Sequence, residues 1–179
     1  MDIYKLKRTI LQTKIFSLLC IRAEEKLSQR EIAKILEVSP TAVANSVRKL
    51  KDNNLVKIEK TKTINFVSFN RDELKAIELK RVENLKNVYL SGLSEYLERE
   101  LAGSTIILFG SYSRGEDTIT SDIDIAVIER KEKNLSLEKY EKTLNRKINT
   151  NFYNSWREIN THLRNNILNG ILLHGSIEL

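Results

Sequence analysis

The sequence predicts an α+β chain of two parts joined by a helical connector. Three observations carry this. The first fifty residues hold three helix-length apolar periods, with two short alternating runs after them. Further on, two β-branched segments, 104–109 and 123–128, frame a Gly-Ser turn and a pair of aspartates. Charge then divides the halves: residues 1–70 carry 14 Lys/Arg against 7 Asp/Glu, whereas residues 71–179 carry 16 against 17. A basic part beside a nearly neutral one suits a polyanion, because neutralised phosphates release counterions. A lysine-rich solubilising surface is the alternative that composition leaves open.

In the first part, Thr9 to Ala23 carries Ile10, Leu11, Ile15, Leu18 and Leu19 at three- and four-residue steps, the period of a helix. Ser28 begins a second helix, with Glu31 at the capping-box position and Ile32, Ile35 and Leu36 turned inward. A turn follows at Glu37-Val38-Ser39. Pro40, the only proline, falls in the first turn of a third helix, where its missing N–H costs nothing. There Val43, Val47 and Leu50 share the inner face and leave Thr41, Asn45 and Arg48 outside. Leu55–Ile58 and Thr63–Phe69 read as two strands, with Lys60-Thr61-Lys62 as a basic tip.

This order of elements resembles a winged helix-turn-helix domain, assigned to residues 1–70. The resemblance implies a third helix in the DNA major groove and a wing on backbone phosphates. Thr41, Asn45 and Arg48 are then the candidates for base readout, Asn suiting adenine and Arg guanine, while Lys60 and Lys62 suit phosphate. Such modules also serve as protein-docking domains; the charge asymmetry favours DNA.

Arg71 to Leu101 is helical in character, with Leu74, Ile77, Val82, Leu85, Val88, Tyr89 and Tyr96 on one side of the wheel. Residues 71–88 are read as a stiff connecting helix because no Pro/Ser/Gly-rich tether occurs, and Gly92 as a break or bend. The exposed part of this stripe, or the first helix, is also a candidate seam for a homodimer.

The second part, 89–179, holds the most informative stretch. Ser104–Phe109 ends abruptly at Gly110-Ser111, and Ile123, Ile125 and Val127 then alternate with Asp122, Asp124 and Ala126. A period of two puts both aspartates on one strand face and the isoleucines on the other. Two carboxylates on one edge can hold Mg²⁺, which is normally bound through one or two acids together with substrate phosphates. A short helix beginning at Ser111 would add backbone N–H groups for those phosphates, and Gly110 permits close approach. Neither a P-loop nor a dinucleotide fingerprint is present.

Gly110-Ser111, ten residues, then Asp122-Ile123-Asp124 resembles the signature of the DNA polymerase beta-like nucleotidyltransferases, nearest to the small MNT-type branch. Gly115 and Ser121 fit the same pattern, and Arg114 is a candidate phosphate contact. The resemblance implies a small mixed sheet flanked by helices, Mg²⁺ (two ions if active) on Asp122 and Asp124, and ATP or another NTP held by Gly110, Ser111, Arg114, Gly115 and Ser121. It also implies a third carboxylate on the next strand. Here Asn149 stands at that place, in the alternating run Lys147–Tyr153 that follows a helical stretch, Ser136–Leu144. An amide can coordinate a metal but cannot accept a proton. Glu138 or Glu158 could substitute, the acceptor could supply its own base, or the site could bind nucleotide without transfer.

The expected function is Mg²⁺-dependent transfer of a nucleoside monophosphate to an acceptor hydroxyl by a DNA-binding protein. The MNT resemblance extends it to an antitoxin acting on a HEPN-type toxin. The competing expectation is a transcriptional regulator whose second domain only binds nucleotide or a partner. Ser155 reads as the cap of a last helix carrying Trp156, Ile159, Leu163 and Ile167, and Ile171–Leu173 as a closing apolar run. His162, His174 and the single Cys20 have no metal-ligand spacing, which rejects zinc and disulfide chemistry. No apolar stretch approaches the ~20 residues of a membrane span, and no signal segment is visible, so a cytoplasmic location without membrane contact is expected.

Overall fold

A computed structural model describes residues 8–178, so the first seven residues assigned to the first domain lie outside the described residues. Two compact units divide at Lys80 and Arg81. In the first, α1 (Ile10–Ile21), α2 (Gln29–Leu36) and α3 (Pro40–Asp52) pack with a three-stranded antiparallel sheet of β1 (Leu27–Ser28), β2 (Val56–Lys60) and β3 (Asn65–Phe69), in the order β1-β3-β2.

Each helix starts where its side chains can satisfy the backbone donors that a helix leaves unpaired. Ser28 Oγ accepts from Glu31 N at 3.2 Å, and the Glu31 carboxylate accepts from Ser28 N at 2.6 Å. Ser39 Oγ accepts from Ala42 N at 3.2 Å, with Pro40 as the first residue of α3. Thr9 and Gln12 form a further capping box on α1. Ile15, Phe16, Leu19, Ile32, Val43 and Val47 then close one core without exposure to solvent.

Three details depart from the sequence reading. Ile35 is 43% exposed, because α2 is only eight residues long and buries Ile32 and Ala33 instead. Lys60 lies inside β2 opposite Asn65, so the hairpin tip is Thr61–Ile64, closed by Thr61 N donating to Ile64 O at 2.9 Å. Strand β1 is only two residues, too short to show a period, and is recognisable only by its pairing with β3 at Leu27↔Val67 and Ser28↔Phe66.

The helical stretch is two helices, α4 (Leu74–Leu90) and α5 (Leu93–Glu100), broken where Gly92 adopts a left-handed φ of 78°. The apolar stripe is only partly covered: Val88 is core, and Leu85 and Tyr96 pack against it. Leu74, Val82 and Tyr89 are exposed, and the covered side of α4 holds Ala76, Lys80, Glu83, Asn84 and Val88. Apolar and polar side chains both turn inward, Asn84 through its bonds to Asp117 and Tyr112 O.

The second unit is a four-stranded mixed sheet, ordered β6-β5-β4-β7, formed by β4 (Thr105–Phe109), β5 (Ile123–Ile128), β6 (Ile148–Tyr153) and β7 (Ile171–His174). Strands β5 and β6 are parallel, and the other pairs are antiparallel. Between them lie α6 (Gly110–Arg114), α7 (Glu138–Leu144) and α8 (Thr161–Leu168). Alternation splits the sheet between two cores. Ile106, Leu108, Ile123, Ile125 and Val127 meet Leu93, Leu97 and Tyr140, while Ile107, Phe109, Ala126 and Ile128 meet Trp156 and Ile167.

Ser155 does not cap the last helix. It precedes a three-residue 3-10 turn, Trp156–Glu158; Ile159 is extended, and Asn160 caps α8 by accepting from Leu163 N at 3.0 Å. Trp156, Ile159 and Ile167 are nevertheless buried as core. Replacing the best-formed cap, Ser28→Ala, is expected to cost the first unit about 1 kcal/mol. Chemical denaturation followed by circular dichroism checks this, and an unchanged midpoint would contradict it.

Candidate functional site

Phe109, the last residue of β4, pairs with Asp124 on β5, so the chain turns into α6 directly beside that carboxylate. Gly110 takes a left-handed φ of 76°, and a Cβ built there would overlap Asp124 Oδ2 and sit 3.3 Å from its Cγ. Only glycine meets both demands, the backbone angle and the close approach. The Gly-Ser turn and the Asp-x-Asp strand are therefore one packed unit.

Asp122 immediately precedes β5, and Asp124 shares the parity of Ala126 and Ile128, opposite to the buried Ile123, Ile125 and Val127. On the neighbouring strand the register places Asn149 directly beside Asp124, and Asn149 Nδ2 donates to Asp122 Oδ2 at 3.0 Å. The place expected of a third acid is thus filled by an amide whose N–H already engages one of the two carboxylates. Glu158 is bonded to Asn154, and among the described residues no three His, Cys, Asp or Glu side chains are grouped to hold a metal. Neither Glu138 nor Glu158 joins the aspartates in such a group.

Two carboxylates on one strand edge fit Mg²⁺, a hard cation that accepts one or two acids and takes its remaining oxygens from phosphate and water. A cleft of about 580 Å³ adjoins Asp122 and is lined by Thr120, Ser121, Glu141, Asn145, Arg146 and Lys147. Asp124 is half-buried, and burial pushes its carboxyl above the ordinary aspartate range. The Asn149 amide acts against that rise, and the negative charge of Asp122 adds to it.

The other candidate residues are held by local structure. Gly115 ends α6 as a left-handed cap with φ 74°, and Glu116 N donates to Ser111 O at 3.0 Å behind it. Ser121 Oγ accepts from Thr118 N at 2.9 Å, which folds the loop entering Asp122. Arg114 donates to Glu116 through Nε at 2.8 Å and to Asn166 on α8 through Nη1 at 2.9 Å. Sequence reasoning passed over Asn84, Asp117 and Arg146, which lie buried beneath this site and are joined to each other. Their separation of some thirty residues along the chain hides them from any local pattern.

In the first unit Thr41, Asn45 and Arg48 lie exposed on α3, opposite the buried Val43, Val47 and Leu50. Lys26 and Lys57 are occupied by Glu59 and Asp72. Arg48, Lys49, Lys51, Lys60 and Lys62 are exposed and make no ion pair among the described residues.

The raised Asp124 carboxyl sets a sign for pH dependence. A folded chain that binds this proton more tightly than the unfolded chain is favoured below the ordinary carboxylate range and loses that advantage as pH rises through the raised value. Asp124→Asn is therefore expected to raise the unfolding midpoint of metal-free protein at neutral pH, with the difference shrinking as pH falls through the raised value and gone below about pH 4. A variant less stable than the parent at neutral pH would refute the electrostatic reading.

A family model described as nucleotidyltransferase domain matches residues 90–174, and a second, described as winged helix-turn-helix DNA-binding, matches residues 18–57. No curated protein matches the chain. Among solved structures, a mutant of Lactococcus lactis ZitR is 22% identical with a TM-score of 0.41, covering 53% of this chain and 63% of its own. The S. aureus MepR–DNA complex is 18% identical with a TM-score of 0.39, covering 55% and 82%. The match spans less than two thirds of the ZitR chain, and likenesses this low carry no weight for fold or function. The two family matches fall on the two structural units, and the chain carries a winged helix-turn-helix DNA-binding domain followed by a nucleotidyltransferase domain.

Proposed function

We propose that the protein binds DNA through its first unit and handles a nucleoside triphosphate in its second, transferring the nucleoside monophosphate slowly to a hydroxyl. The observation that supports this most is the packing of Gly110 against Asp124, with Asp122 alongside. Asp122 and Asp124 would hold Mg²⁺, which neutralises phosphate charge when bound. Gly110 admits a phosphate close to the backbone, and Ser111 offers a hydroxyl. An acceptor hydroxyl attacks the α-phosphorus, the bond to pyrophosphate breaks, and pyrophosphate leaves. The hydroxyl proton goes to solvent or to a base on the acceptor, because the Asn149 amide does not take it.

The hydrogen bond from Asn149 to Asp122 favours a second reading: a regulator that binds nucleotide without turnover. A protein acceptor, such as the HEPN-type toxin of the MNT resemblance, belongs to the first reading and would suit an antitoxin that controls its own transcription from the cytoplasm. A symmetric dimer would match the two-fold operators on which groove-reading helices act.

With α-labelled ATP and Mg²⁺, the parent chain is expected to bind nucleotide, and Asp122→Ala to weaken binding by about tenfold or more. Equilibrium dialysis measures this; a parent that binds no ATP overturns both readings of the second unit. Asn149→Asp is expected to speed pyrophosphate release by at least about 10²-fold if a base is what the site lacks. Release that stays at the parent's rate would favour the regulator. For the first unit, affinity for the gene's upstream DNA should fall with salt. Lys60→Ala and Lys62→Ala should each reduce the logarithmic salt slope by about 1, whereas Asn45→Ala should change sequence preference instead. A salt-independent affinity would contradict the DNA reading.

A further inference from the structure

We propose that Asp117 is a positioning residue of the nucleotide site, acting through a buried polar node that it forms with Asn84 and Arg146. This rests on the nucleotide reading above and identifies what holds the site in shape. Asp117 and Arg146 form a buried ion pair, their side chains 1% and 2% exposed, with Arg146 Nη2 at 3.7 Å from Asp117 Oδ2. Asn84 Nδ2 donates to the other carboxylate oxygen, Oδ1, at 2.7 Å, and to Tyr112 O at 2.9 Å.

The node touches all three segments that carry the site. Tyr112 is in the turn of α6, one residue beyond Ser111, and its ring is buried. Asp117 lies in the loop that leads into Asp122. Arg146 is three residues before Asn149 and forms part of the cleft wall beside Asp122. Next to it, Ile123 N donates to Lys147 O at 2.8 Å, tying the starts of β5 and β6 together. Fixing Asp117 to Arg146 thus fixes the loop before Asp122 against the turn before Asn149, while Asn84 fixes the same loop against α6.

Stability alone is a poor reason for this arrangement. Desolvating two charges is costly, and a buried pair can often be replaced by apolar side chains of similar volume with no loss of stability. Removing one partner, by contrast, strands the other charge. Stability and position can therefore be separated by comparing a single with a double substitution.

The test uses the full chain. Asp117→Asn keeps a carbonyl oxygen for Asn84 but removes the negative charge that faces Arg146 in the buried pair, so the unfolding midpoint should fall. The double variant Asp117→Asn with Arg146→Met removes both charges and should recover the midpoint. A positioning role requires that the double variant, though stable, still bind Mg²⁺·ATP about tenfold or more weakly than the parent, a loss of the size seen when groups behind metal ligands are changed. It also requires a displaced NMR signal for the Asn149 side-chain amide. Recovery of ATP affinity and of the Asn149 signal together with stability would overturn the proposal. If the double variant does not fold, Arg146→Lys, which keeps the charge but loses the planar fork, serves instead: weakened ATP binding at an unchanged midpoint supports the proposal, and unchanged binding refutes it. If the parent itself binds no ATP, the nucleotide reading fails, and the Asn149 signal alone decides the role of Asp117, a shift supporting it and an unshifted signal refuting it.

Discussion

The close approach of the Gly110 backbone to the Asp124 carboxylate is the constraint around which the second unit is arranged. It follows from the register that sets Phe109 opposite Asp124, and a side chain at position 110 would collide with that carboxylate. Because β5 alternates, Asp122 and Asp124 turn away from Ile123, Ile125 and Val127. Parallel pairing then brings Asn149 beside them. Strand register and one missing Cβ thereby assemble two acids, an amide and a turn of backbone within a small volume. The fold need supply little more for a phosphate and a divalent cation.

The chemistry of that volume points more strongly to binding than to rapid turnover. Burial and the charge of Asp122 both raise the proton affinity of Asp124, which is the strain expected of a carboxylate pair awaiting a cation. Asn149 relieves part of it through a side-chain hydrogen bond to Asp124. A third carboxylate there would have added negative charge and a proton acceptor; the amide adds neither. The first unit has a separate logic. Its third helix shows Thr41, Asn45 and Arg48 outward, and Arg48, Lys49, Lys51, Lys60 and Lys62 make no ion pair among the described residues, whereas Lys57 is taken by Asp72. Charge that is not consumed internally remains for a polyanion.

Much of this could be read from local pattern. Ser28 with Glu31, and Ser39 before Pro40, marked helix starts, because capping is settled within four residues. The Gly-Ser and Asp-x-Asp spacing marked the candidate residues for the same reason: Gly110 to Asp124 span fifteen residues on adjacent strands, whereas Asn149 comes from a third. Where reading failed, distant partners had decided the outcome. The inward side of α4 carries Asn84, which donates to Asp117 and to Tyr112 O, so of the apolar stripe Val88 is buried and Leu85 packed on the core while Leu74, Val82 and Tyr89 are exposed. Strand β1 exists only through β3, and Asn160 displaced Ser155 as a cap because Ile159 is extended. Gly115, Ser121 and Arg114 matched a signature, yet each has a local partner or a backbone role that explains its residue type.

Gly110, Asp122, Asp124 and Asn149 are proposed to form one cation and nucleotide site. Paramagnetic broadening by Mn²⁺ in the presence of ATP, followed amide by amide on the isotope-labelled full chain, tests it most directly. The first signals lost at low Mn²⁺ are expected to be those of Gly110, Ser111, Asp122, Asp124 and Asn149, and Asp122→Ala is expected to abolish the effect. Broadening centred elsewhere, or none at all while the chain remains folded, would contradict it.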